Sequence, residues 1–235
     1  MSLKDSGRRE RGKAERRSRI LRAARDLIRE TGDTDLSMRA LAQRADVSLS
    51  TPYNLFGSKR AVVLAVLEDE RDFADRFARL QATHAIGRIF ATHELSFGYY
   101  TRDPDFYRTL WRALLNTSGE AEIGLATPQR LAQTRAIWQG LIRDALKEGY
   151  LRSDLSPDLV LQGLAHVTGG ALLSWAMRSM KTATLTATVG LGYGFILRGA
   201  ATPKGAHLLD GRLTAYQAML DRASPAGRER APETL

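Results

Sequence analysis

Residues 20–59 read ILRAARDLIRETGDTDLSMRALAQRADVSLSTPYNLFGSK, and this stretch decides the fold of the N-terminal part of the chain. Apolar residues recur every three or four positions from Ile20 to Ile28 and again from Met38 to Ala45, which is the period of amphipathic helices. Gly32 ends the first of these helices, and residues 46–48 interrupt the chain before a short third helix. The pattern predicts three short helices joined by tight turns.

Such an arrangement fits a helix-turn-helix, in which the second helix braces the third in a DNA groove about 12 Å wide. Ala45, Asp46 and Val47 supply the small residue, the turn-tolerant residue and the apolar plug that must stand between the two helices. Serines stand at the predicted helix starts, where their side chains favour capping. They are Ser37 for the second helix, Ser48 or Ser50 for the third, and Ser58 for the fourth.

The fourth helix is predicted to be long, because its apolar stripe continues well beyond the head. The stripe consists of Val62, Val63, Val66, Leu67, Phe73, Phe77 and Leu80. In every later segment where apolar residues recur regularly, they do so with the period of an α-helix, and no pair of strands is evident. The later helices are predicted at 84–101, 104–117, 128–149, 157–180, 184–200 and 206–222. The chain is therefore predicted to be all-α.

Positive charge is concentrated at the start of the chain. The net charge is +9, and residues 1–60 contain fifteen Lys and Arg against eight Asp and Glu. This asymmetry is typical of a polyanion-binding module joined to a near-neutral domain, although a solvated basic tail would give the same sum. The basic tail residues are Arg8, Arg9, Arg11, Lys13, Arg16 and Arg17.

Composition also indicates the cellular compartment in which the chain is expected. The chain has no cysteine, so disulfides and thiolate metal sites are excluded, and a reducing cytoplasm fits. No apolar run of about 20 residues is evident, and no hydrophobic stretch follows the basic N-terminus, so neither a membrane span nor a secretory signal is expected.

The constrained spacings of the head resemble the DNA-binding region of the TetR family of bacterial transcriptional regulators. The resemblance lies in Ile20-Leu21-x-Ala23-Ala24-x-x-Leu27-Ile28-x-x-x-Gly32, Leu36-Ser37-Met38-Arg39-x-Leu41-Ala42-x-x-Ala45-x-Val47-Ser48 and Tyr53-x-x-Phe56-Gly57-Ser58-Lys59. It implies a three-helix DNA-binding head linked by a long helix to a helical ligand-binding and dimerisation domain. The expected divisions are a flexible basic arm (1–17), a helix-turn-helix domain (18–60), a ligand-binding and dimerisation domain (61–223) and a frayed tail (224–235).

The resemblance also implies which head residues meet DNA. Ser37 and Arg39 match positions that face phosphates and the groove, and Lys59 matches a backbone-anchoring lysine. Tyr53 matches a phosphate-contacting tyrosine, although Tyr53 and Phe56 could instead pack the head's core. The remaining matches face bases and backbone, and apolar Leu49 would suit a thymine methyl group. They are Ser48, Leu49, Ser50, Thr51 and Asn54.

Two residues depart from the family pattern. Asp46 stands where the family usually has Gly, and Asp tolerates the left-handed backbone better than most residues. Pro52 replaces a helix-forming residue, and it fits only if it lies in the first turn of the third helix. Where that helix begins relative to Thr51 is therefore open. Arginines of the basic arm would track the DNA backbone or enter a minor groove, by analogy with homeodomain arms.

The body contains candidates for a ligand pocket and a dimer seam. The pocket candidates are aromatic residues on consecutive predicted helices, which could equally form an ordinary core. They are Tyr99, Tyr100, Phe106, Tyr107, Trp111 and Trp138. Glycines among apolar residues suggest close helix approach in the four-helix dimer seam that the family uses, rather than a phosphate-binding loop. The seam candidates are Gly163, Gly170, Trp175, Gly190 and Gly194.

The sequence contains no catalytic motif. The four histidines lack metal-ligand spacing, so neither a metal nor another cofactor is expected. The resemblance implies a homodimeric repressor that binds a pseudo-palindromic DNA operator and is released by a small-molecule effector. One alternative is an architectural or division factor that binds DNA without a ligand. Another is a helical enzyme with a DNA-binding-like head. The sequence offers no nucleophile–base pair or carboxylate dyad in support of this alternative.

Overall fold

The computed structural model describes residues 3–34, 36–69, 73–115 and 128–224. Within these ranges the chain forms eleven α-helices and no strand beyond an isolated bridge between Leu151 and Ala201. The protein is all-α, as its sequence predicts. The helices are α1 (Leu3–Thr31), α2 (Met38–Arg44), α3 (Ser50–Phe56), α4 (Lys59–Asp69), α5 (Phe73–Ala78), α6 (Ala85–Arg102), α7 (Pro104–Leu115), α8 (Pro128–Lys147), α9 (Pro157–Ala176), α10 (Thr182–Gly199) and α11 (Pro203–Ala223).

The chain divides into two compact units, and the division differs from the predicted boundary after residue 60. The first unit contains α1–α4 together with α7 from residue 105 onward, and the second contains α5, α6 and α8–α11. Contacts with the end of α1 explain why α7 joins the first unit. The guanidinium of Arg29 lies 4.7 Å from the centre of the Phe106 ring, and the Thr109 hydroxyl donates to the Gly32 carbonyl at 3.5 Å.

The core of the first unit is formed by the apolar faces that the sequence predicts. Ile20 and Ala24 of α1, Leu41 of α2, and Val62 and Val66 of α4 are completely buried. Gly32 ends α1 with a φ of 63°, a left-handed conformation that Gly adopts without steric cost. The helical head therefore rests on burial of the periodic residues at 20–66.

The start of α1 differs from the prediction. Residues 3–17 continue α1 as helix instead of forming an irregular arm. Most of them are Lys, Arg, Glu and Ala, which lose little side-chain entropy in a helix. The spacing of Asp5 to Arg9 and of Glu15 to Arg19 also places opposite charges four residues apart, in the order that favours a helix.

The second unit is organised around α6 and α10. Phe90 and Ile89 of α6 and Leu185 and Leu197 of α10 are completely buried. The glycine-rich stretch 190–199 is the second half of α10, so it is not a phosphate-binding loop. It runs against α9 on one side and α11 on the other.

Helix ends in the second unit follow local backbone chemistry. α9 ends at Ala176, earlier than predicted, because Arg178 adopts a left-handed φ of 62°. α11 begins at Pro203, earlier than predicted, since Thr202 caps it by accepting a hydrogen bond from the Gly205 N–H at 3.2 Å. The predicted break at 117–119 and the predicted tail beyond Ser224 lie outside the described residues.

One described helix has the length and apolarity of a membrane span. It is α9, whose 18-residue window has a mean hydropathy of 1.2, contrary to the expectation that no such run exists. Its leucines and valines account for this apolarity, and the core helix of a globular domain passes the same test. A single helix of this kind is weak support for a span.

Candidate functional site

The turn between α2 and α3 has the geometry that a helix-turn-helix requires. The Val47 N–H donates to the Ala42 carbonyl at 3.0 Å, and the Asp46 N–H donates to the Gln43 carbonyl at 3.2 Å. Asp46 between them has a φ of 52°. This is a Schellman motif, in which the left-handed residue is usually Gly. The prediction that Asp46 occupies a left-handed turn position is confirmed.

Serine side chains cap the helices on both sides of α3. The Ser37 hydroxyl accepts from the Ala40 N–H at 3.3 Å at the start of α2, and the Ser58 hydroxyl accepts from the Ala61 N–H at 3.1 Å at the start of α4. Both are the predicted caps, and each satisfies a backbone donor that the helix leaves free.

The start of α3 is different, and the prediction of a serine cap there is wrong. The N-cap residue is Leu49, which has a helical backbone and no side-chain cap. The Ser48 hydroxyl instead lies 2.7 Å from the Thr51 hydroxyl and 3.1 Å from the Ser50 hydroxyl. The helix begins at Ser50, so Pro52 lies in its first turn, where a missing N–H costs little.

The residues expected to meet DNA form an accessible surface on α2, α3 and the start of α4. None of the nine is buried, and Leu49 and Tyr53 each expose 49% of their surface. Such exposure of large side chains argues against a core role for Tyr53. Phe56, by contrast, is half-buried. The nine are Ser37, Arg39, Ser48, Leu49, Ser50, Thr51, Tyr53, Asn54 and Lys59.

Two arginines of α1 flank this surface, and sequence reasoning did not pair them with it. The guanidinium of Arg17 lies 4.5 Å from the centre of the Phe56 ring at the end of α3. Arg19 Nη1 lies 3.6 Å from an Asp46 carboxylate oxygen in the turn before α3. Only the three-dimensional packing of α1 reveals these pairs, because the partners are 27 or more positions apart in the sequence.

The aromatic residues expected to form a ligand pocket divide between the two units. Phe106, Tyr107 and Trp111 lie on α7 in the first unit, because α7 packs against the end of α1. Tyr99, Tyr100 and Trp138 lie in the second unit. The six residues therefore do not form a pocket within one unit. Tyr100 packs against Trp175, with ring centres 5.6 Å apart.

Within the second unit, aromatic rings surround a histidine to which the sequence analysis gave no role. His93 on α6 is completely buried, and its ring centre lies 4.8 Å from that of Phe97 and 5.1 Å from that of Tyr193. Its Nε2 lies 2.9 Å from the Thr186 carbonyl oxygen, so Nε2 carries the hydrogen and donates. Nδ1 is then an acceptor, and it has no hydrogen-bond partner among the described residues.

The surroundings keep this histidine neutral. Burial lowers the pKa of His93 to about 4, against which its hydrogen bond with Thr186 acts only weakly. Burial also raises the pKa of Tyr193 to about 12, and its hydroxyl lies 2.7 Å from that of Thr168. The half-buried Trp138 meets Tyr193 edge-on, with ring centres 5.6 Å apart. The cluster thus places one acceptor without a hydrogen-bond partner among aromatic rings.

Most of the residues expected at a dimer seam are used inside the chain. Trp175 is completely buried, and added β-carbons at Gly190 and Gly194 would clash with Tyr216 and Leu213 of α11. A β-carbon at Gly163 would press on Ile196. Their small size serves packing between α9, α10 and α11 within the chain, and their place in a dimer stays a prediction. Gly170 is exposed, with nothing within 4 Å of its added β-carbon.

Exposed apolar side chains that the sequence analysis missed lie on α9, just after it and on α10. Four of them each expose about half of their surface or more. Single exposed apolar residues are common, whereas a group on adjacent helices marks a contact surface. The four are Leu159, Leu173, Met177 and Phe195. We call them, with Gly170, the α9–α10 face.

Metal-ligating side chains do not converge anywhere in residues 3–34, 36–69, 73–115 and 128–224. No group of three His, Asp or Glu side chains there could hold a metal ion.

Comparisons with known proteins agree with this geometry. Residues 20–66 match the family model described as bacterial regulatory proteins, tetR family. The chain is similar in structure to full-length TylP, a TetR regulator from Streptomyces fradiae, with 21% identity, a TM-score of 0.58 and 95% of each chain covered. No curated protein matches the chain in sequence.

Two further solved structures are similar. One is the TetR family protein CprB from S. coelicolor A3(2), at 16% identity and a TM-score of 0.54, with 88% of this chain and 98% of that chain covered. The other is a TetR transcriptional regulator from Agrobacterium tumefaciens, at 20% identity and a TM-score of 0.54, with 82% and 97% covered. At these identities the likeness shows a common fold.

Proposed function

We propose that this chain, a transcriptional regulator of the TetR family, binds a pseudo-palindromic DNA operator as a homodimer and leaves it when a small molecule binds. The observation that carries the proposal is the exposed surface of α3, held by the left-handed turn at Asp46. The proposed role is repression in the cytoplasm, without enzymatic chemistry.

DNA binding rests on the chemistry of the exposed α3 residues. Lys59 and the Tyr53 hydroxyl suit phosphate oxygens, which position a protein on DNA without reading its sequence. Asn54 suits the donor and acceptor pair of adenine in the major groove. Exposed Leu49 suits the methyl group of thymine. An operator that contains an A·T pair under each α3 is the expected result.

Dimerisation rests on the α9–α10 face. Leu173 and Phe195 would leave water when two copies meet, and Gly170 would let the backbones of two α9 helices approach closely. A two-fold dimer would then place its two recognition helices about 34–36 Å apart, so that they reach successive major grooves on one side of the DNA. The operator is pseudo-palindromic for the same reason.

Effector binding rests on the cluster around His93. An apolar molecule with one hydroxyl or N–H group would donate to Nδ1 while its body lies against Phe97, Tyr193 and Trp138. Such a molecule releases DNA only if it binds more tightly to the DNA-free form, and the shift equals its difference in affinity for the two forms.

Operator binding is tested by footprinting the chain on its own upstream region and on duplexes selected from random DNA. We expect Tyr53→Ala and Lys59→Ala to weaken binding across all sequences, each lowering the salt dependence by about one phosphate contact. Lys147→Ala, which removes an exposed charge from α8 in the second unit, is the matched control and should bind like wild type. Absence of a footprint at low salt, or equal binding by all three variants, contradicts the proposal.

Effector release is tested separately. Small metabolites are screened for a rise in the melting temperature, since a ligand of the folded state stabilises it. A stabilising compound should also reduce operator binding, and His93→Phe should lose both effects. A protein that binds its operator but is stabilised by no compound would instead fit a DNA-binding architectural factor.

A further inference from the structure

The first turns of α1 extend beyond the core of the head. Among the side chains of this helix that the structure describes, Ile20 is the first buried apolar one, whereas Arg9, Lys13 and Arg16 are exposed. At 1.5 Å per residue, residues 3–16 add about 21 Å of helix. A basic helix that buries no apolar side chain contributes little to a core, so its role lies in the surface that it presents.

The basic residues of this extension form a row on one side of the helix. Arg9, Lys13, Arg16 and Ile20 follow one another at spacings of four, three and four residues, so they share a face. At Ile20 and Ala24 this face is buried in the head. In the turns that precede Ile20 the same face carries basic residues. Asp5 stands four positions before Arg9 and so shares the face of the row, whereas Glu10 and Glu15 stand five positions apart and lie on different sides of the helix.

Two contacts fix the direction of this row relative to α3. Arg17 packs its guanidinium on Phe56, the last residue of α3, and Arg19 pairs with Asp46 in the turn before α3. The α3 side of α1 is thereby identified. Lys13 lies about one turn before Arg17, and Arg9 about one turn before Lys13. The row therefore leaves the head on the side of α1 that faces α3.

We propose that the first turns of α1 lie along the phosphate backbone of the DNA that flanks each half-site, with Arg9, Lys13 and Arg16 facing the phosphates. The proposal rests on the operator binding proposed above. An α-helix with side chains is about 10–12 Å across, whereas the minor groove is about 6 Å wide. The extension therefore contacts phosphates from outside, and the minor-groove insertion suggested by analogy with homeodomain arms does not fit a helix.

The contact has two measurable consequences. A helix of about 21 Å covers roughly six base pairs at 3.4 Å each, so protection should reach about that far beyond each half-site. The flanking contact carries no base preference, because phosphate contacts do not read sequence. Each phosphate neutralised adds about 0.9 to the slope of log affinity against log salt.

The experiment compares two double variants of the full-length chain with the same charge change. Lys13→Gln with Arg16→Gln removes two charges from the row. Arg11→Gln with Arg22→Gln removes two exposed charges from the opposite side of the same helix. We expect the first double variant to lose about 1.8 from the salt slope, since two contacts are removed, and to lose protection of the flanking base pairs. The second should match wild type in both.

Two duplexes complete the design, one ending at the half-sites and one with eight flanking base pairs on each side. Wild type should bind the longer duplex more tightly, and the Lys13/Arg16 variant should bind both equally. Equal salt slopes and footprints for the two double variants would overturn the proposal. If wild type shows no specific footprint at all, operator binding itself fails, and the salt slopes on a random duplex still decide whether the row contacts DNA.

Discussion

The ring of Tyr216 lies against the backbone of Gly190, so a β-carbon at position 190 would stand 2.5 Å from its Cζ atom. The ring is held in place, because the Tyr216 hydroxyl donates to Glu94 Oε1 at 2.8 Å and the ring centre lies 5.7 Å from that of Phe90. Burial is the largest cause that raises the pKa of Tyr216, so the hydroxyl stays protonated as a donor. The approach of α10 to α11 therefore depends on Gly190.

Gly190→Ala should destabilise the protein although Ala favours a helix. Overpacking typically costs about 1–3 kcal/mol, which exceeds the roughly 1 kcal/mol gained in helix propensity. Thermal unfolding measures the outcome. Gly211→Ala, on α11, is the matched control, because its added β-carbon meets nothing within 4 Å, and it should keep or raise the melting temperature. A Gly190→Ala protein as stable as wild type would show that Tyr216 moves freely.

Asp46→Gly should raise the stability of the head, since Gly adopts the left-handed φ of 52° without a β-carbon. Asp46→Val should lower the free energy of unfolding by about 1–2 kcal/mol, the usual cost of this conformation for an ordinary residue. Loss of the ion pair between Asp46 and Arg19 alters these stabilities little, because the Asp46 side chain is 98% exposed. Urea unfolding of the three proteins provides the measurement. An order of stability other than Gly, Asp, Val contradicts the argument.

His93 should make the protein less stable in mild acid. Its folded pKa of about 4 lies below the ordinary value of 6.5, so the unfolded chain takes up the proton first as the pH falls. Its stabilisation is thus fully present above pH 6.5 and is lost as the pH falls toward 4, by about 3 kcal/mol in all. His93→Gln should remove this part of the pH profile, whereas His207→Gln, at an exposed position, should not.

Glu94 is the acidic side chain beside this cluster, through its bond with Tyr216. The difference between wild type and His93→Gln therefore isolates the histidine. Parallel pH profiles for these two proteins would mean that His93 is not held neutral.

Phe195→Arg should convert the proposed dimer to a monomer. Phe195 exposes 61% of its surface on the α9–α10 face, so an arginine there would bury an unpaired charge between two copies. Sedimentation measures the state, and circular dichroism should show an unchanged fold. Leu131→Arg, which changes a comparably exposed apolar residue on α8, is the control and should leave the dimer intact. A wild-type chain that sediments as a monomer refutes the dimer itself.

The sequence predicted those features that depend on neighbouring residues. The cap at Ser37, the cap at Ser58 and the left-handed turn at Asp46 are local, and the structure has all three. The serine cap of α3 was wrong, because the hydroxyls of Ser48 and Thr51 bond to each other.

Features that depend on distant packing were not predictable in the same way. The glycines at 190 and 194 suggested close helix approach, but only the structure identifies α11 of the same chain as the partner. Likewise, an aromatic stripe over 99–111 gives no sign that α7 joins α1 while α6 joins α10. His93 carried no motif, and its significance lies in burial and in an acceptor without a partner.

Only Pro52 among the seven residues of α3 is buried. Within α3, the side chains proposed to meet DNA are therefore separate from the one that is buried in the head. On the proposed function, a change at an exposed base-facing position such as Asn54 should alter the preferred DNA with little effect on stability, because surface substitutions usually stay within about 0.5 kcal/mol. If α3 reads an operator as proposed, descendants of this chain would acquire new target genes through one or two changes in α3, and the scaffold that presents them would be left intact.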